Sequence, residues 1–139
     1  VGAESLSHFI SAEQEQKRLI NDYFENYIAS IRSGLFDFCA HLTYIVRSAV
    51  CKVEDYHAEY KKLLEEIKKA GMADELNTRK TNIVKKFMPT APVLEVARDL
   101  GVPILISDDC HDKNKMTAGY KEAEQLLSEL GYVNRWKIR

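Results

Sequence analysis

Cysteine is scarce and unpatterned. Three residues, Cys39, Cys51 and Cys110, form an odd set with irregular spacing and no Cys-x-x-Cys pair. That argues against a disulfide framework and a zinc finger, and it fits a reducing, cytoplasmic setting. No apolar run approaches the ~20 residues that span a bilayer, and no signal-peptide pattern opens the chain, so no membrane partner is expected. An excess of one charge is also lacking. Twenty basic and 21 acidic residues leave a net charge of −1, and no global field recruits nucleic acid. A Gly-rich phosphate loop and a Gly-x-Ser-x-Gly elbow are missing, which removes nucleotide-loop and serine-hydrolase readings. There is no internal repeat.

What remains is one domain's worth of chain: 139 residues, 45% apolar and 29% charged, beginning at Val1 and not at Met. Ser11 followed by Gln14 reads as a capping box that opens a long helix, with Leu19, Ile20, Tyr23, Phe24, Tyr27, Ile28 and Ile31 on its apolar face. Ser33-Gly34 ends it. Leu35 to Ala40 is a short apolar run arriving at His41. A second helix is predicted from about Val53 to Ala70, with Tyr56, Tyr60, Leu63, Leu64 and Ile67 facing inward and Gly71 as its stop. Met72 to Asn77 is a weak strand candidate because it contains Asp74 and Glu75. Residues 79–89 are basic and irregular. Thr90 and Pro92 open a helix that Gly101 stops, a strand is expected at 102–106, and a further helix runs from about Thr117 to Leu130. Tyr132 to Ile138 is a final strand or tail. Helices alternating with strands imply an α/β fold with parallel strands covered by helices.

Polar residues follow three of these strands: His41, Asn77-Thr78, and Asp108 to His111. In α/β folds, sites are built at the carboxyl ends of strands. Asp109 and His111, two residues apart, share a face if the chain stays extended, and their oxygen and nitrogen suit Zn, Mn or Fe. The blander reading is that Asp108 or Asp112 caps the next helix while His111 lies at the surface. His41 and His8 each read either as ligands or as hydrogen-bonded core histidines. His57, in a charged helix, reads as solvent-facing, and Cys110 as packing. Arg47 and Arg79-Lys80 lie near strand ends, where they would bind an anion or remain solvated charges.

The segments SGLFDFCAHLTYIVR, DELNT, LGVPILISDDCHDK and GYKEAEQLLSELGY, in that order, resemble the C-terminal half of the polymerase and histidinol phosphatase (PHP) superfamily. The likeness spans roughly Ser33 to Tyr132, and the nearest branch is that of the bacterial-type histidinol-phosphate phosphatases. The resemblance implies the C-terminal part of a distorted seven-stranded (β/α) barrel, with up to three divalent metal ions (Zn, Mn or Fe) at the strand ends. It places the family's Ser-Asp-Ala-His motif on Asp108 to His111. Asp109 and His111 then become metal ligands and catalytic groups, His41 a ligand after its strand, and His8 a ligand from a shifted Ser-His-Phe element. Arg47 matches an arginine associated with the substrate phosphate.

The departures are specific. Where the family carries Glu-Ile-Asn-Thr-Ser-Gly, this chain has Glu75-Leu76-Asn77-Thr78-Arg79-Lys80, and a family arginine falls on Asn82. Arg79 is the candidate to replace it at the phosphate. Asp108 and Cys110 stand where smaller residues are usual. No His-x-His pair is present, so residues 1–139 are expected to be a single partial PHP domain, a fragment lacking the first metal-ligand strands. The implied activity is hydrolysis of a small phosphorylated substrate, L-histidinol phosphate, in histidine biosynthesis. The alternatives are a PHP phosphoesterase with another substrate, or a catalytically incomplete metal-binding half-barrel that self-associates through an open edge.

Overall fold

A computed structural model describes residues 3–45, 53–79 and 87–136, with side chains from residue 12 in the first segment and from residue 54 in the second. Helix α1 (Ala3–Arg32) leads to strand β1 (Phe38–Cys39). A 3-10 turn (Val53–Tyr56) enters α2 (His57–Lys69), followed by β2 (Ala73–Asn77) and α3 (Ala91–Leu100). Strand β3 (Ile104–Ser107), a short 3-10 segment (Lys113–Lys115) and α4 (Tyr120–Glu129) complete the order. The three strands form a parallel sheet in the order β1-β2-β3, so the fold is α/β. Among the described residues, no helix is long and apolar enough to cross a membrane.

The helices follow their apolar stripes. Tyr60, Leu63, Leu64 and Ile67 of α2 are buried, as periodicity requires, and α2 lies between α1 and α3. Gly101, at φ 70°, ends α3 in the left-handed conformation that lets Val102 N–H return to Ala97 O at 2.9 Å. Because Val102 belongs to that stop, β3 begins at Ile104, later than its apolar run suggested. Beyond α4 the chain returns to β3. Ile104 N–H donates to Asn134 O at 3.1 Å and Trp136 N–H to Ile104 O at 2.9 Å, so the expected tail strand is a single parallel bridge.

Three expectations are corrected. Ser11 does not open the first helix: α1 begins at Ala3 and runs through it, because residues before a matching Ser-x-x-Gln can themselves be helical. Helix α4 starts at Tyr120 and not near Thr117, since Thr117 (φ 61°) and Gly119 (φ 82°) are left-handed and break any helix there. Thr90 precedes α3 without making a side-chain cap bond.

Strand β2 is the centre of the sheet, and all five of its residues are buried. Central parallel strands usually read as continuous apolar runs. Here the run is Ala-Asp-Glu-Leu-Asn, so two carboxyl groups and an amide lie in the interior and need partners or neutralisation.

Candidate functional site

A parallel sheet places all its strand carboxyl ends on one edge, so His41, Asn77 to Arg79 and Asp108 to His111 lie along the same rim. His41 follows β1 with φ 57°, a left-handed conformation uncommon for a residue with a side chain. Two tyrosines of α1 hold that turn. Tyr27 O–H donates to Ala40 O at 2.6 Å and lies 3.1 Å from His41 O, and Tyr23 O–H reaches His41 O and Leu42 O, each at 3.1 Å. Burial pushes the Tyr23 phenol up to about 12, and the Tyr27 phenol is raised by the same cause, so both stay protonated donors.

Glu75, on β2, is the partner at the other side of His41. Its Oε2 accepts from His41 N–H at 3.0 Å and stands 3.3 Å from His41 Nδ1. Asn77 Nδ2 lies 3.3 Å from the same ring nitrogen and 3.4 Å from Glu75 Oε2. A proton on Nδ1 directed at the carboxylate leaves Nε2 with its electron pair for a ligand. Asn77 also carries the network onward, since its Oδ1 accepts from Arg79 N–H at 2.8 Å.

The third strand end completes the rim. Arg79 Nη1 lies 3.2 Å from Asp109 Oδ2 and 2.9 Å from His111 Nε2, and His111 Nε2 lies 3.3 Å from Asp109 Oδ1. Asp109 is at φ 46°, so the loop is not extended and simple alternation does not apply. The pair meets all the same, through the turn. Burial raises the Asp109 carboxyl, but the Arg79 hydrogen bond and the charges of His41, Arg79 and His111 outweigh it and hold the group below the usual carboxylate range.

The neighbouring acids do other work. Asp108 accepts from Cys110 N–H at 3.1 Å and from Thr117 N–H, and Asp112 Oδ1 accepts from Asn114 N–H at 3.0 Å. Asp112 thus caps the 3-10 segment Lys113–Lys115, whereas Asp108 ties loop amides together and caps no helix. Cys110, expected to pack, is only half-buried and donates its thiol to Asp112 O at 2.7 Å. A cavity of about 380 Å³ opens here, lined by Thr78, Arg79, Asp109, His111 and Lys115 among others.

Of the predicted residues, His41, Arg79, Asp109 and His111 are thus brought together. His8 falls within α1, and its side chain lies outside the described ones. Arg47 lies outside the described residues, as do Lys80 and Asn82. His57 is exposed, as its charged helix suggested. Glu75, Tyr23 and Tyr27 have no place among the predicted site residues, and Asn77 stands there only as a polar strand end without a role. The one signal for Glu75 was a carboxylate inside a strand pattern.

As a metal site the donors have the right chemistry. Imidazole nitrogen and carboxylate oxygen suit divalent transition metals, and a cationic guanidinium nitrogen already sits where Asp109 and His111 converge. Among the described residues no three His, Cys, Asp or Glu side chains gather around one point, so the rim supplies part of a coordination shell. Comparison with protein-family models finds no match, and none of the curated proteins matches the chain.

Proposed function

We propose that this chain is part of a metal-dependent phosphomonoesterase of PHP type, a histidinol-phosphate phosphatase acting in the cytoplasm, and forms the C-terminal portion of its seven-stranded β/α barrel. The observation that carries the reading is the convergence of Asp109 and His111 at 3.3 Å, beside an arginine and on the same rim as His41. A carboxylate and a neutral imidazole on one point form a cation site. Arginine beside it provides a bidentate donor for phosphate.

Asp109, His111 and His41 would hold divalent metal, and the rest of the shell would come from residues beyond this cluster. Such an ion, when bound, supplies an activated water and neutralises phosphate charge. The chain's own groups do the remainder. Arg79, with Arg47, would bind the non-bridging oxygens, and the Asp109 carboxylate, through an oxygen not engaged by the ion, would take the proton that the attacking water loses and pass it to the leaving alkoxide. Glu75 fixes the His41 ring through Nδ1. Both the substrate class, a small phosphate ester, and L-histidinol phosphate itself come from the resemblance of the sequence motifs; the cavity of about 380 Å³ beside Arg79 and Lys115 supports an anionic ligand.

Elemental analysis of purified protein, against His41→Ala and Asp109→Asn, tests this. Bound transition metal that falls in both variants supports a shared strand-end site, and full phosphatase activity in Asp109→Asn of the whole protein would refute it.

A second reading has its own observation. Leu35, Phe36 and Phe38 are exposed around β1, the outer strand of the sheet among the described residues. Apolar surface at a sheet edge suits a half-barrel that associates with a second copy instead of catalysing.

A further inference from the structure

Arg79 occupies the point on which the Asp109 and His111 donors converge, with Nη1 2.9 Å from His111 Nε2 and 3.2 Å from Asp109 Oδ2. A guanidinium has no electron pair to offer, so in this contact the imidazole nitrogen is the acceptor and Nε2 is unprotonated. A divalent cation needs the same electron pair on the same nitrogen and the same carboxylate. Arginine and ion therefore exclude one another at these two donors.

We propose that Arg79 is an internal competitor for the cation at Asp109 and His111, and that cation binding there releases its guanidinium to the substrate phosphate. This rests on the metal-phosphatase reading above and adds an order to it: metal first, then anion.

Two further features make the exchange feasible. The Arg79 backbone is anchored, its N–H donating to Asn77 Oδ1 at 2.8 Å, while its side chain is 37% exposed, so the guanidinium can swing without moving β2. The cavity of about 380 Å³ lies directly alongside, with Lys115 on its wall as a second cation for an incoming phosphate.

The test is calorimetric titration of the full chain with Mn²⁺, in wild type, Arg79→Ala, Arg79→Gln and the double variant Arg79→Ala/Asp109→Asn. Inorganic phosphate is then titrated with and without Mn²⁺. Losing a charge-assisted competitor is expected to tighten Mn²⁺ binding about tenfold in Arg79→Ala and Arg79→Gln. The double variant should lose that gain. In wild type Mn²⁺ should strengthen phosphate binding, and in both single variants much less. Mn²⁺ affinity unchanged or weakened in a folded Arg79→Ala or Arg79→Gln would overturn the competitor role while leaving the phosphatase reading intact. Absence of Mn²⁺ binding in every protein, wild type included, would overturn both.

Discussion

Asp74 and Glu75 are neighbours on one buried strand, yet their chemistry diverges. Glu75 meets the His41 amide and ring, whereas neither carboxyl oxygen of Asp74 has a hydrogen-bond partner among the described residues. Burial raises the Asp74 carboxyl well above 3.8, and the Glu75 charge adds to this; the Glu75 amide approaches without hydrogen-bond geometry and offsets only part. Folded protein thus keeps a proton that unfolded chain gives up near 3.8, so the group's contribution to stability falls as pH rises through that value toward the folded pKa. The slope is at most about 1.4 kcal/mol per pH unit. In thermal melts, Asp74→Asn should gain on wild type as the pH rises above the ordinary carboxyl value of 3.8, and parallel melting curves there would show that the carboxyl is paired. Cys39, also buried, has its thiol pushed up by burial and is a packing residue.

The elements around the site are held by a few local devices. Tyr27 fixes the His41 turn, and Tyr27→Phe should cost about 0.5–1.5 kcal/mol in urea unfolding, with Mn²⁺ binding also weakened. Retention of both full stability and full affinity would remove the tyrosine from any role at the site. Gly119 shapes the cavity wall. A Cβ there would stand 3.0 Å from Thr78 Cβ and 3.3 Å from Phe87 Cε1, at φ 82°. Gly131 has φ 67° with nothing within 4 Å of a Cβ. Gly131→Ala should therefore cost only the backbone strain, about 1 kcal/mol, and Gly119→Ala clearly more. Equal losses in the two would mean that the Thr78 side relaxes freely.

At the scale of the whole molecule, the sheet has two unequal sides. Beyond β3 the chain returns through Arg135, whereas β1 carries Leu35 at 79%, Phe36 at 54% and Phe38 at 41% exposure. If this flank is where further barrel strands or a second copy pair, concentration-dependent association is expected in sedimentation velocity. Phe36→Lys should shift it toward monomer with the Mn²⁺ affinity unchanged. A monomer at all concentrations would count against the half-barrel association module.

The sequence by itself determined the alternation of helices and strands, the glycine stops at residues 71 and 101, and the gathering of polar residues after three strands. These features are local: helical periodicity and glycine conformational freedom act within a few residues. The pairing of Asp109 and His111 was legible only as one of two readings and on an extended chain; they meet instead through the left-handed turn at Asp109. Only the tertiary structure decided that Ala-Asp-Glu-Leu-Asn is the central strand, because burial of Glu75 depends on a histidine 34 residues away. It alone decided the left-handed turns at His41 and Asp109, and the seat of Arg79 between donors about 30 residues distant. Contacts between remote segments are set by packing of the parallel sheet, which no local pattern encodes.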